Sequence, residues 1–356
     1  MGYREISRHR EACAVVSIDS ELVSAVIPTH HRPDLVLKAV LSALHQSHAL
    51  IEVIVVIDGE DEATEMLLAG MGDARLRVIS LAVNVGGSEA RNIGVRNAQG
   101  EWIAFLDDDD EWLPQKIVLQ LEAARASEAV FPVVSSSLTV KTPALDFIGA
   151  RRPYEAGKPL SEHLFCRSDF ADGAYAMQTS TLFMRREMML AIPFRSGLKR
   201  HQDWDWLLRA SQHPGVGFQM IAEPLTIFRV EDGRASVGRA IDWEFSLQWA
   251  REMRQYFTPR AYSFFVATEC MSRAAKSKAG RAAYARLAWE FLARGAPTVR
   301  SLSWLLAFTC VPRSMRRRGR NLFRKFKAKH KKPLWETRRI STKQSRAAAA
   351  IPDTLN

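Results

Sequence analysis

Between residues 22 and 126, short apolar runs alternate with segments whose apolar residues recur at helical spacing. Leu22–Ile27 reads as a strand ended by Pro28. From Pro33 to Gln46, Leu35, Leu37, Val40, Leu41 and Leu44 mark one face of a helix. Glu52–Ile57 is β-branched and almost wholly apolar, as a strand covered on both sides would be. A helix over 61–70 and a strand at Leu76–Leu81 follow. Ser88 to Ala98 predicts a helix with Ser88 as its N-cap. Trp102–Leu106 is a further strand, and Pro114 suits the first turn of a helix reaching Ala126.

This alternation implies an α/β fold whose sheet is mostly parallel and flanked by helices. Ligands of such sheets bind beyond the carboxyl ends of the strands. Here those ends carry Thr29–Arg32, Asp58, Asn84–Gly87 and Asp107–Asp110, so the polar residues gather on one edge. After 130 the pattern loosens. Strands are expected at Val130–Val140 and Ser180–Met184 and a helix at Asp203–Gln212, and Phe218–Phe228 ends this part. Amphipathic stretches follow near 243–257, 261–276, 280–294 and 299–310. The expected organisation is a loose leader at 1–20, an α/β unit at 21–240, a helical extension at 241–311 and a basic tail at 312–356.

Composition changes this picture in two ways. The chain of 356 residues is 47% hydrophobic, enough for a large core and too much for a disordered chain. Its net charge of +11 is unevenly spread: residues 251–356 hold 25 Lys/Arg and 5 Asp/Glu, while the rest of the chain is acidic. A basic C-terminal third suggests a polyanionic partner. The four cysteines (Cys13, Cys166, Cys270, Cys310) include no short-spaced pair, which argues against a zinc site or a disulfide framework and fits a reducing compartment. The N-terminus lacks the apolar run of a signal peptide. The longest apolar stretch, Leu302 to Pro312, is shorter than the ~20 residues that span a bilayer. A soluble or peripheral protein is expected.

Three segments carry chemistry. In Asp107–Asp110 four adjacent carboxylates repel one another, and a hard divalent cation such as Mn²⁺ or Mg²⁺ relieves that repulsion. Asp107 and Asp109 are two apart and would point the same way in an extended segment. A solvated acidic loop ahead of a helix is the plainer alternative. In Asn84–Gly100, Gly86 and Gly87 precede a helix start that suits an anion, with Arg91 in the first turn. Third, Asp203 opens a helix among aromatic residues, where a low dielectric would raise its pKa toward that of a usable base. A simple helix cap is the alternative, and His201 is a second base candidate.

Together these segments resemble the family 2 glycosyltransferases of the GT-A fold. The resemblance covers residues 22–230: Ala25–Asp34, Val53–Gly59, Glu89–Gly94, Phe105–Pro114 and His201–Asp205 stand in the family's order. It implies a nucleotide-sugar donor, with UDP as its nucleotide, and direct displacement with inversion at the anomeric carbon. Donor contacts would come from Pro28, Thr29, His30, Arg32, Asp58, Gly86, Gly87, Arg91, Asp107 and Asp108. Asp109 and Asp107 would hold the metal, with Asp110 as a second assistant, and Asp203 would be the catalytic base. Gln202, Trp204 and Trp206 are the acceptor-side candidates, and residues 151–200 would shape that pocket. Ile57 departs from the family's acidic pair, leaving Asp58 alone before Gly59.

The acceptor is expected to be a carbohydrate or a lipid-linked sugar, in the assembly of a bacterial cell-surface polysaccharide. Residues 299–332 would lie on an anionic membrane surface at its cytoplasmic face. No specific nucleic acid is expected. Two other classes compete: a sugar nucleotidyltransferase, disfavoured by the absence of a Gly-rich loop after the first strand, and a noncatalytic nucleic-acid-binding protein, disfavoured by the retained aspartates.

Overall fold

A computed structural model describes residues 21–143, 145–150, 152–167, 177–230 and 243–312, with 314–316, 318, 319 and 322. The expected leader and most of the basic tail lie outside the described residues. The elements β1 (Val23–Thr29), α1 (Pro33–Leu44), β2 (Ile51–Ile57), α2 (Glu62–Ala69), β3 (Leu76–Ser80), α3 (Gly87–Asn97) and β4 (Trp102–Phe105) follow the expected alternation. Next come β5 (Asp110–Trp112), α4 (Lys116–Arg125), β6 (Phe131–Lys141), β7 (Phe147–Gly149), α5 (Leu160–Phe165), β8 (Phe183–Arg185), α6 (Arg186–Ala191), α7 (Gln202–Ala210) and β9 (Val216–Arg229). The helices α8 (Trp243–Glu252), α9 (Pro259–Phe265), α10 (Met271–Lys276), α11 (Arg281–Ala293) and α12 (Val299–Cys310) complete the described chain.

One mixed sheet runs in the order β3-β2-β1-β4-β8-β6-β9-β5, with β7 beside β6. The first four neighbours are parallel; β8 runs antiparallel to β4 and turns the sheet into its mixed half. The strands β1 and β2 are buried throughout because both faces are covered. Ala25 and Ile27 pack with α1 and α4 on one side, while Val26 packs with α3 on the other. That second side is the larger core. It also takes α5, α7 and the helices from Trp243 onward, so the C-terminal helices rest on the same apolar mass as the sheet.

Several local expectations change. Ser88 is not a cap: α3 starts at Gly87 with Gly86 as N-cap, at φ +86°. A side chain at Gly86 would be strained there, so the glycine serves the turn. Pro114 precedes α4, which begins at Lys116. The stretch expected as a strand from Ser180 is a 3₁₀ turn, Thr179–Thr181, followed by β8. The acidic run contains a strand: Asp110 opens β5, which pairs with β9.

Gly94 of α3 sits where a Cβ would lie 2.4 Å from Val26 Cγ1 on β1. Its absence lets α3 lie close to the sheet. Gly94→Ala should therefore lower stability by about 1–3 kcal/mol in urea unfolding, although alanine is the better helix former.

Candidate active site

A cavity of about 610 Å³ opens at the carboxyl ends of the parallel strands. That lies within the roughly 300–1,000 Å³ usual for small-ligand sites. Its lining brings together Pro28, Thr29, His30, Arg32, Asp58, Gly86, Gly87, Arg91, Asp107, Asp108, Asp109, Gln202, Asp203 and Trp204, although they come from five separate stretches of sequence.

The acidic corner is built by a turn. The Asp110 amide donates to the Asp107 carbonyl at 3.1 Å, folding the chain back before β5. Carboxylate oxygens of Asp107, Asp109 and Asp110 thereby come within 4.8 Å of one another. The expected side-chain alternation of an extended segment is not what groups them. Asp108 points elsewhere, accepting from Thr29 Oγ1 at 2.9 Å and from Arg32 Nη1 at 3.1 Å. Burial raises its pKa, and the Arg32 charge and the Thr29 hydroxyl oppose that rise. Arg32 also lies 3.7 Å from Asp109.

Asp110 is fully buried. Burial pushes its pKa well up, and the charges of Asp109 and Asp107 push it further. Its Oδ2 accepts from Ser180 Oγ at 2.6 Å, but its Oδ1 is buried with no hydrogen-bond partner. An orphaned carboxylate oxygen beside two further carboxylates fits a hard divalent cation, which takes oxygen ligands. Ser180 is a residue that sequence reasoning missed. It also accepts from the Asp107 amide at 3.0 Å, so one hydroxyl ties two members of the acidic cluster.

Opposite the aspartates stands α3. Arg91 lies in its second turn rather than the first, and is buried. Its guanidinium makes a short ion pair with Asp107 and donates to Gln202 Oε1 at 2.8 Å. Asp58 accepts the amides of Val85 at 2.6 Å and Gly86 at 3.0 Å. It thus orders the glycine turn that starts α3 while lining the cavity.

The third wall is α7. Asp203, in its first turn, is partly buried, and burial raises its pKa to about 6, with the Asp107 charge adding and Arg91 opposing. Asp205, two residues on, faces the core instead, held by Arg195 at 2.9 Å, Arg209 at 2.8 Å and the Trp249 indole. His201 is buried, stacked on Trp204 at 5.0 Å and hydrogen-bonded to Ser246. Burial drops its pKa to about 3, so it is neutral and has a structural place. Trp206 is a correction. It is fully buried, its Nε1 donates to the Ile192 carbonyl, and it lines no part of the cavity.

Residues 151–200 contribute Gln178, Thr179 and Arg200. The C-terminal helices contribute Glu269 and Arg273, which nothing in the sequence flagged. Burial would raise the Glu269 pKa, but Arg273 and Arg167 pull it down to about 2. The cavity thus joins the acidic segment Asp107–Asp109 to a wall that carries Arg200, Arg273 and Glu269.

Residues 24–160 match the family described as "Glycosyl transferase family 2". The amylovoran biosynthesis glycosyltransferase AmsB of Erwinia amylovora is 26% identical over 67% of this chain and 79% of its own length. The succinoglycan biosynthesis protein ExoO of Rhizobium meliloti is 39% identical over 31% of this chain, and a putative teichuronic acid biosynthesis glycosyltransferase, TuaG of Bacillus subtilis, is 36% identical over 36%. Those two matches span about a third and about half of the relatives' own lengths. Among solved structures, S. aureus TarS 1–349 with UDP-GlcNAc aligns at 16% identity, over 81% of this chain and 79% of that one, with a TM-score of 0.46.

The acidic cluster generates a direct test. Mn²⁺ titrated into the protein should bind and raise its melting temperature. Ser180→Ala should weaken that binding by roughly 10–100-fold, as loss of an outer-shell partner does, and Asp109→Ala by more. Titration calorimetry reads both.

Proposed function

We propose that this chain is a glycosyltransferase of family 2 and that it moves a sugar from a nucleoside-diphosphate donor onto an acceptor hydroxyl, with inversion at the anomeric carbon. The observation that carries this reading is a single cavity lined by the Asp107–Asp109 segment, the glycine turn before α3 and Asp203.

Asp107, Asp109 and Asp110 would hold a Mn²⁺ or Mg²⁺ ion. Bound there, it would offset negative charge on the departing diphosphate. The α3 N-terminus and its Gly87 amide suit the same diphosphate, the Gly86 amide being held by Asp58. Arg91 adds a cation within reach, and it must share Asp107 when the donor enters. Pro28, Thr29, His30, Arg32 and Asp58 form the nucleoside side. Asp108 acts there by fixing Thr29 and Arg32 rather than by touching the donor first. UDP is our choice of nucleotide, although Asp58 faces the base without the acidic neighbour that Ile57 replaces.

Asp203 takes the proton of the acceptor hydroxyl as its oxygen bonds to the anomeric carbon and the bond to the diphosphate breaks. The carboxyl is suited to this because its raised pKa makes it a stronger base than an exposed aspartate. Gln202 and Trp204 line the acceptor side. Relatives named for amylovoran, succinoglycan and teichuronic acid synthesis support a role in bacterial polysaccharide assembly, with a carbohydrate or lipid-linked acceptor. Among the described residues no helix is long and apolar enough to cross a membrane. Contact with the cytoplasmic membrane face through 299–332 is part of this reading.

Asp203→Asn should lose transfer by roughly 10²–10⁴-fold while keeping donor affinity. Release of nucleoside diphosphate, with Mn²⁺ and a sugar nucleotide, with and without acceptor, measures it. A wild-type rate in that variant would end the assignment. Only the ionised carboxylate can accept the proton, so activity is lost as pH falls through the Asp203 pKa of about 6. Below it, the rate should drop about tenfold per pH unit.

A further inference from the structure

Eight of the fifteen exposed large hydrophobic side chains among the described residues fall between 289 and 322. On α11 the outward residues Ala282, Ala285, Trp289 and Leu292 are spaced three or four apart and form one stripe. On α12 the outward apolar residues are Val299, Leu302 and Leu306. Trp289 is 55% exposed, Leu292 63% and Val299 88%. The opposite faces, with Leu287 and Phe291 on α11 and Trp304 and Leu305 on α12, are already buried in the core. Both helices are thus apolar on the side that folding does not use.

The surrounding charge is of one sign. Residues 281–332 contain 15 Lys/Arg and a single acid, Glu290. Glu290 is buried and paired with Arg251 at 2.6 Å. The Arg294 guanidinium lies 5.5 Å from the centre of the Trp289 ring. Arg316 donates to the Ala307, Phe308 and Val311 carbonyls, adding positive charge at the end of α12.

We propose that α11 and α12 form a platform that lies in the interface of an anionic lipid bilayer. Trp289, Leu292, Val299, Leu302 and Leu306 enter the headgroup–acyl boundary, and the arginines with the following basic run meet the phosphates. Nucleic acid would use the charge but not the apolar stripes. A second copy of the chain in a two-fold pair would set like-charged arginines against one another. Only a surface at once apolar and anionic answers both features.

The platform adds to the transferase reading, on which its consequence for the acceptor rests. Its inner side backs the cavity: Arg167 lies 5.2 Å over the Trp304 ring of α12 and 3.2 Å from Glu269 of the cavity wall. A lipid-linked acceptor in that bilayer would stand one layer of helices from Asp203.

Co-sedimentation of the full chain with phosphatidylcholine vesicles, with and without phosphatidylglycerol, tests the proposal without any sugar substrate. Binding should require phosphatidylglycerol and weaken with salt. A variant carrying Trp289→Ser, Leu292→Ser, Leu302→Ser and Leu306→Ser should bind at least about tenfold more weakly. It should melt like the wild type and keep the same Mn²⁺ affinity, since none of these residues lines the cavity. Equal binding by this variant would assign the contact to the basic tail alone and overturn the platform. So would binding to pure phosphatidylcholine at the same strength, or a wild-type dimer that the serines split. Failure of sugar transfer with vesicle binding intact would count against the transferase reading only.

Discussion

Asp107, Asp109 and Asp110 leave the end of a buried strand with their oxygens within 4.8 Å of one another, and negative charge packed so closely must be compensated. Each neighbour of the cluster can be understood as part of that compensation. Arg91 faces Asp107, Arg32 faces Asp108 and Asp109, and the Ser180 hydroxyl donates to Asp110. Arg91 reaches its partner because α3 lies close on β1 and β2, and the missing Cβ at Gly94 permits that approach. The position of one arginine therefore depends on a packing contact in the second turn of its own helix.

The same charge extends across the cavity. Asp107 adds to the burial that raises the Asp203 pKa, and Arg91 opposes it. Arg91 in turn holds Gln202, the residue before Asp203. Asp107 and Asp203 thus sense one another across the cavity, with one guanidinium bearing on both. Asp205 explains how α7 can present Asp203 so firmly: its carboxylate is spent on Arg195, Arg209 and Trp249, which pins the helix to its neighbours.

The parallel half of the sheet was legible because strands covered on both sides are wholly apolar and their helices carry a clean period. The site was legible as far as it lay at strand ends. The turn at Asp107–Asp110 was misjudged because side-chain alternation holds only in extended backbone. Trp206 could not be separated from Trp204 by composition; the helical phase of α7 puts one on the cavity and the other in the core. Ser180, Glu269 and Arg273 had no signal at all. Their importance comes from contacts with residues far away in sequence, and a serine between two threonines looks like any other.

Between α9 and α10 the chain forms one continuous helix interrupted by a π-turn, Val266–Cys270, which carries Glu269 and stands just ahead of Arg273. A π-turn accommodates one residue more than the regular α-helix does. Each residue of an α-helix advances the direction of its side chains by about 100°. Gain or loss of a single residue there would leave the sheet and the aspartates untouched while turning a different set of side chains toward the cavity. Chain length at this point would reshape that wall of the cavity without any substitution in the strands.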